Sequence, residues 1–196
     1  LLGMRVIRRD KTSGMTAALL AKPVRRIEYI IAKTTGIWLL AFGLTFALHC
    51  TVYGIMIVKT GAKIVFFLPA SLFISINILF NILTVMTISQ FLPDIIAALL
   101  GGGVWLIGYI SDTIFRVSQN EMVKNVLDQM QKSEQPVALW RILWPKMTAL
   151  QFYAVSLIKE APLHGPGPVH PVINVVGYSI IAFLLLWWHF SREEIR

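Results

Sequence analysis

The chain has a single cysteine, Cys50, among 196 residues, so no disulfide framework can staple it, and its redox compartment cannot be read from cysteine use. It is also poor in charge. Asp, Glu, Lys and Arg make up 14% of the residues against 56% hydrophobic ones, and the mean hydropathy is +0.69. That balance is too apolar for an ordinary soluble domain. The sequence holds no Gly-x-x-x-x-Gly-Lys-Ser/Thr loop, so it has no ready-made nucleotide cradle of its own. Gly101-Gly102-Gly103 is apolar on both sides and cannot replace one. No serine, cysteine or paired-carboxylate constellation stands out, so the chain is read as non-catalytic. Glu160, His164 and His170 come nearest to a ligand set, but their spacing matches no structural zinc pattern and a Pro/Gly-rich linker would not preorganise them. No metal and no cofactor are expected on this chain. Neither an internal repeat nor a cleavable signal pattern is evident.

What is present is a set of long apolar runs. Gly36–Val58 carries no charge over 23 residues and reaches about 34 Å as a helix, enough to cross a hydrocarbon core of about 30 Å. Lys59-Thr60-Gly61-Ala62-Lys63 reads as a short polar turn, followed by a second span from Ile64 to about Ser89. Gln90-Phe91-Leu92-Pro93-Asp94 breaks that run; Pro93 suits a helix start and Asp94 a cap. Ile95–Ile110 reads as a short third span, and Val172–Phe190 as a fourth, closed by Trp187 and Trp188. The fold class is therefore all-α integral membrane.

Charge gives the expected orientation. The net charge is +8, and eight of the 18 basic residues, namely Arg5, Arg8, Arg9, Lys11, Lys22, Arg25, Arg26 and Lys33, precede the first span. That excess predicts a cytoplasmic N-terminal segment, with lipid rather than nucleic acid as its counterpart. Alternation then places 59–63 outside, 90–94 inside, 111–171 outside and the C-terminal tail inside. The 111–171 segment holds six basic and five acidic residues, a balance suited to the non-cytoplasmic side. The organisation is thus 1–35 cytoplasmic, 36–110 three spans, 111–171 extracytoplasmic, and 172–196 the last span with its tail.

The outer segment is more than a loop. Ser118-Gln119-Asn120-Glu121 has the capping-box pattern, and Met122, Val123, Val126, Leu127 and Met130 recur at helical spacing. Val137–Ile158 is apolar but interrupted by Arg141, Pro145 and Lys146, with Trp140, Trp144 and Tyr153 suited to an interface. It reads as a pair of short helices dipping into the outer leaflet, where irregular backbone must be covered by protein or water.

Asp10-Lys11-Thr12-Ser13-Gly14 followed by Leu19-Leu20-Ala21-Lys22-Pro23-Val24-Arg25-Arg26-Ile27-Glu28-Tyr29-Ile30-Ile31-Ala32-Lys33 resembles the cytoplasmic loop of the type-2 ABC exporter permeases. The motif covers about residues 10–33; the order of elements extends the likeness along the rest. The resemblance implies a six-span subunit, with this loop, the coupling helix, between the second and third spans. It also implies short re-entrant helices outside between the fifth and sixth. The spans read here would be the third to sixth, and Leu1-Leu2-Gly3-Met4-Arg5 the cytoplasmic end of an earlier helix. The implied partners are an ATP-binding-cassette ATPase subunit, which would hold the ATP and magnesium, and a second permease copy. The implied location is a prokaryotic plasma membrane with both chain ends cytoplasmic.

Under this likeness Lys22, Pro23, Arg25, Arg26, Glu28 and Tyr29 are the candidates for coupling to the ATPase: charges to dock and a proline to fix a bend. Without it, Arg25, Arg26 and Lys33 read equally well as headgroup-level topology determinants. Asn77, Asn81 and Thr84 form a polar stripe on the second span, and Gly101, Gly102 and Gly103 a possible bend; both are candidates for pathway lining. The plainer readings are inter-helix hydrogen bonding and close helix packing. His49 is the one strongly ionisable group expected deep in the first span, and His189 reads as an interface anchor. The rival functions are an accessory membrane subunit that transports nothing, and a lipid-modifying enzyme working from residues 137–158. The latter would need convergent His, Asp or Glu side chains that the sequence does not offer.

Overall fold

The computed structural model describes residues 25–61, 63–118, 144–159 and 169–192, and all regular structure among them is helical. The helices are α1 (Arg26–Thr60), α2 (Phe67–Phe91), α3 (Asp94–Ser118), α4 (Met147–Lys159) and α5 (Pro171–Arg192). All but α4 are long and apolar enough to cross a membrane, which makes this an all-helical integral membrane protein. Its surface agrees. Leu44, Leu48, Ile95 and Ile173 are each between 61% and 69% exposed, a display of large aliphatic side chains that belongs in lipid rather than water.

The start of α1 and the ends of α2 and α5 share one end of the bundle, called basal below; the opposite end is apical. Helix α2 is the centre, packed against α1, α3, α4 and α5. Its core with α1 and α5 is Tyr29, Ile30, Ile82, Leu83, Met86, Leu186 and Phe190. A second core joins Phe80 to Met147, Leu150 and Val175.

Helix α1 is 35 residues long, about 52 Å at 1.5 Å per residue. It begins ten residues before the expected span, because Ile27 to Thr35 continues the helix directly into it and no break separates the charged segment from the membrane run. At the other end Gly61 takes a left-handed φ of 67° and its N–H bonds Ile57 O at 2.8 Å, a termination that glycine adopts without steric cost. His49, eleven residues before the end of α1, lies edge-on to Phe67, the first residue of α2, with ring centroids 6.2 Å apart.

Helix α3 starts where Pro93 predicts, with the Pro93 carbonyl accepting from Ala97 N–H at 3.0 Å. Asp94 is the first helical residue, one place inside the expected cap. The helix does not stop at Ile110 but continues to Ser118, 25 residues in all. Ser111 and Asp112, which look in sequence like the end of the span, are buried against protein.

Helix α4 has 13 residues, about 20 Å, too short to span. Its first carbonyl, on Met147, accepts from Asn77 Nδ2 at 2.8 Å, ten residues into α2 and about 15 Å from its start. Tyr153, further along α4, meets Phe73 and His170 with centroids 5.3 and 4.8 Å apart, nearer the apical end. Helix α4 therefore starts at mid-depth beside Asn77 of α2 and rises toward the apical end. The part of 137–158 before Trp144, the amphipathic run at 122–130 and most of the Pro/Gly linker lie outside the described residues.

Candidate functional site

The basal end carries the described part of the charged segment. Arg25 precedes α1, and its backbone N–H bonds Glu28 Oε2 at 3.1 Å. A glutamate three residues into a helix, reaching back to the cap, satisfies one of the orphan donors of the first turn. Arg25 and Glu28 remain exposed. Arg26 turns the other way. Its Nη1 donates to the carbonyls of Ser191 at 2.8 Å and Phe190 at 3.4 Å, the last turn of α5. A guanidinium suits that position, where unpaired carbonyls and the helix dipole concentrate negative charge. Tyr29 is buried and stacks on Phe190, with centroids 5.6 Å apart and planes 17° from parallel. Of the coupling candidates, then, Arg25 and Glu28 face outward while Arg26 and Tyr29 clamp α1 to α5. Lys22 and Pro23 lie outside the described residues.

Tryptophans finish this end. Trp187 and Trp188 are 40% and 51% exposed, and the Arg192 guanidinium sits 4.4 Å over the Trp188 ring, a cation–π contact suited to a headgroup level. His189, at the same level, is half-buried edge-on against Phe91, with centroids 4.4 Å apart.

The apical half holds a polar junction around the bend before α4. Lys146 N–H donates to Asn174 Oδ1 at 2.8 Å, and Leu150 N–H bonds Lys146 O at 3.0 Å, so Lys146 occupies the cap position of α4. With the Asn77 bond to Met147 O, this irregular stretch has its backbone groups answered by α2 and α5 side chains, as the low-dielectric interior requires. Gly108 of α3 admits it: a Cβ there would stand 3.2 Å from Trp144 Nε1 and 3.8 Å from Pro145 O. One turn further along α3, buried Asp112 lies within electrostatic reach of the Lys146 side chain.

The pathway candidates are distributed through this packing. Asn77 is buried in the α2–α4 contact. Asn81 donates to Asn77 O at 2.9 Å within its own helix, and the Thr84 hydroxyl oxygen is buried without a hydrogen bond. Gly101 is buried where a Cβ would come within 2.8 Å of Val85 Cγ2, so it sets the close approach of α3 to α2. Gly102 and Gly103 have open space where a Cβ would be. An apolar cleft of about 330 Å³, bounded by Thr34, Leu79, Leu83, Val176, Ser179 and Phe183 among others, opens between α1, α2 and α5, and none of these candidates lines it.

Among the described residues no cluster of His, Cys, Asp and Glu could hold a metal. His170 caps α5, accepting from Val172 N–H on Nδ1 at 3.3 Å; Glu160 and His164 lie outside the described residues. The reading of the residues did not single out Asp112, Gly108 or Asn174. The available signal was the four-residue spacing of Gly108 and Asp112, which puts both on one helix face. Comparison with protein-family models, with curated proteins and with solved structures finds no match for this chain.

Proposed function

We propose that this chain is the membrane-spanning permease subunit of an ATP-driven ABC exporter. Its partners would be an ATPase subunit that binds ATP and magnesium, and a second permease copy. The observation that carries the reading is the basal clamp. The described part of the charged segment, from Arg25 to Lys33, continues without a break along α1, and Arg26 and Tyr29 tie its first turn to the end of α5. A push on exposed Arg25 and Glu28 would reach two spans as one rigid unit, which is what a coupling element must do. Helix α4, seated at mid-depth and rising apically, has the form of the external cap that such a permease needs.

The test is coexpression with the ABC ATPase encoded nearest the gene. Charge reversal at the exposed pair, Arg25→Glu with Glu28→Arg, is expected to lower ATPase retention on the purified subunit. Arg26→Met is expected to leave retention intact but abolish the effect of the permease on ATP turnover. If retention and turnover are the same for all three proteins, the permease reading fails and the accessory-subunit reading takes its place.

A further inference from the structure

Helices α1 and α5 meet at the basal end, where Arg26 reaches Ser191 and Tyr29 stacks on Phe190. Beyond that contact the cleft of about 330 Å³ opens between them, over α2. Buried Thr34, Leu83 and Ser179 form its floor, and its rim includes Ile31, Val176 and Ile180, between 37% and 54% exposed. The hydroxyls of the floor are answered within the protein: Ser179 Oγ donates to Val175 O at 2.8 Å, and Thr34 Oγ1 meets Met86 Sδ at 4.0 Å. The cleft therefore favours hydrocarbon over a polar solute. Left empty, its lining would forfeit dispersion contacts. A helix is a poor filler, because close approach of helices in a membrane needs small residues, and this rim is branched aliphatic. A single acyl chain is thin enough to enter. The same two helices carry basic residues at the basal end. Among the described residues of that end, Arg25, Arg26 and Lys33 at the start of α1 and Arg192 at the end of α5 stand against one acid on these helices, Glu28. Ile31 lies about 8 Å along α1 from Arg26, and Phe183 about 14 Å along α5 from Arg192, so a chain in the cleft has its headgroup near the level of those charges.

We propose that this cleft is a lipid site: it seats one acyl chain of a phospholipid from the basal leaflet, and the basic ends of α1 and α5 select an anionic headgroup. Basic side chains at the membrane surface attract anionic lipid, and Arg192, held 4.4 Å over the Trp188 ring, supplies such a charge beside the α5 wall. The seated chain completes the packing between α1 and α5 where protein does not. The site requires no ATPase, so it stands or falls separately from the permease reading.

The experiment uses the full chain in vesicles of phosphatidylcholine and phosphatidylglycerol, with a trace of phosphatidylglycerol bearing a diazirine on one acyl chain. After photoactivation the adducts are mapped by mass spectrometry. They are expected to concentrate on 31–35 and 176–183, well above those on Leu44, Leu48 and Val52 of the same α1, which are 54–68% exposed and meet lipid without a cleft. Even labelling of all these stretches overturns the site. The same diazirine chain on phosphatidylcholine is expected to give about fivefold fewer cleft adducts, and equal yields overturn the headgroup selection. Arg192→Gln is expected to narrow that difference while the cleft adducts persist. Thr35→Trp, at an exposed position lining the cleft, is expected to fill it and bring its adducts down to the level of Leu44; unchanged adducts overturn the site. If Thr35→Trp does not fold, Ile180→Trp on the opposite wall is read in the same way. Protein–protein crosslinks through the cleft in place of lipid adducts would put a second copy there, and also overturn the proposal.

Discussion

The basal end of the bundle and the bend before α4 each hold one long basic side chain, but they hold it differently. At the basal end Arg26 has its guanidinium on two carbonyls, and Tyr29 lies flat on Phe190. At the mid-depth bend before α4, Lys146 is more deeply buried and its ammonium has no hydrogen bond. Helix α5 is tied to α2 by Thr87, whose hydroxyl donates to Leu83 O and to Ala182 O at 2.7 and 3.1 Å, and α4 is seated on α2 by the Asn77 bond to Met147 O and the Phe73–Tyr153 ring contact. The basal contact thus joins two spans to each other, while the other seats a short helix between them.

The comparison breaks most easily at Phe190. It is fully buried and forms the floor under Tyr29, so Phe190→Ala removes both core volume and the ring contact. The expected cost is about 3–5 kcal/mol, read as a lowered melting temperature by circular dichroism in micelles. Because the loss falls on the basal clamp, charged-maleimide labelling of an Ala149→Cys reporter on α4, in a Cys50→Ser background, is expected to stay at the parent rate below the melt. A matching rise in labelling would show the two regions to be one cooperative unit.

A smaller effect is expected where α3 meets α2. Gly101→Val would drive a side chain into Val85, already 2.8 Å from a bare Cβ, and is expected to destabilise by about 1–3 kcal/mol. Gly102→Ala, with nothing within 4 Å of the new Cβ, is expected to be neutral or to stabilise by up to about 1 kcal/mol through helix propensity. Equal losses at both positions would mean that the glycine run serves a bend and not a close approach. Asn77→Leu comes next in size. It leaves Met147 O unanswered in the interior, at an expected cost of about 1–3 kcal/mol, with faster Ala149→Cys labelling because the α2 anchor of α4 is lost.

Hydropathy made the four spans legible, and three of their ends were marked by residues with a mechanical role: Gly61, Pro93 and the Trp187-Trp188 pair. What was not legible followed from one ambiguity. A polar residue in a span ends it if the residue faces headgroups but not if it faces protein, and periodicity alone does not tell which. Ser111 and Asp112 therefore looked like the end of a helix that in fact runs to Ser118. Lys146 looked like an interruption and proved to be the cap of α4. Likewise Lys22, Pro23, Arg25, Arg26, Glu28 and Tyr29 read as one coupling set, because nothing in the sequence shows that Arg26 turns to α5 while Arg25 and Glu28 stay outside. The pairing depends on α5 ending beside the start of α1, a contact between residues 165 apart.

The least costly change addresses that divided face directly. Glu28→Ala removes the bond to Arg25 N–H and the favourable placement of an acid in a first turn, together about 0.5–1 kcal/mol. Screening makes the second part salt-dependent. The expected result is a slight fall in melting temperature that narrows as salt is raised, with the Arg26 contacts to α5 unaffected. The effect on a bound ATPase should be out of proportion to this, because Glu28 is one of two described charges of the segment that still face outward. A large loss of ATPase retention with a negligible change in melting would place the docking surface at Arg25 and Glu28. A loss in proportion to the melting change would return both residues to the ordinary role of starting a helix.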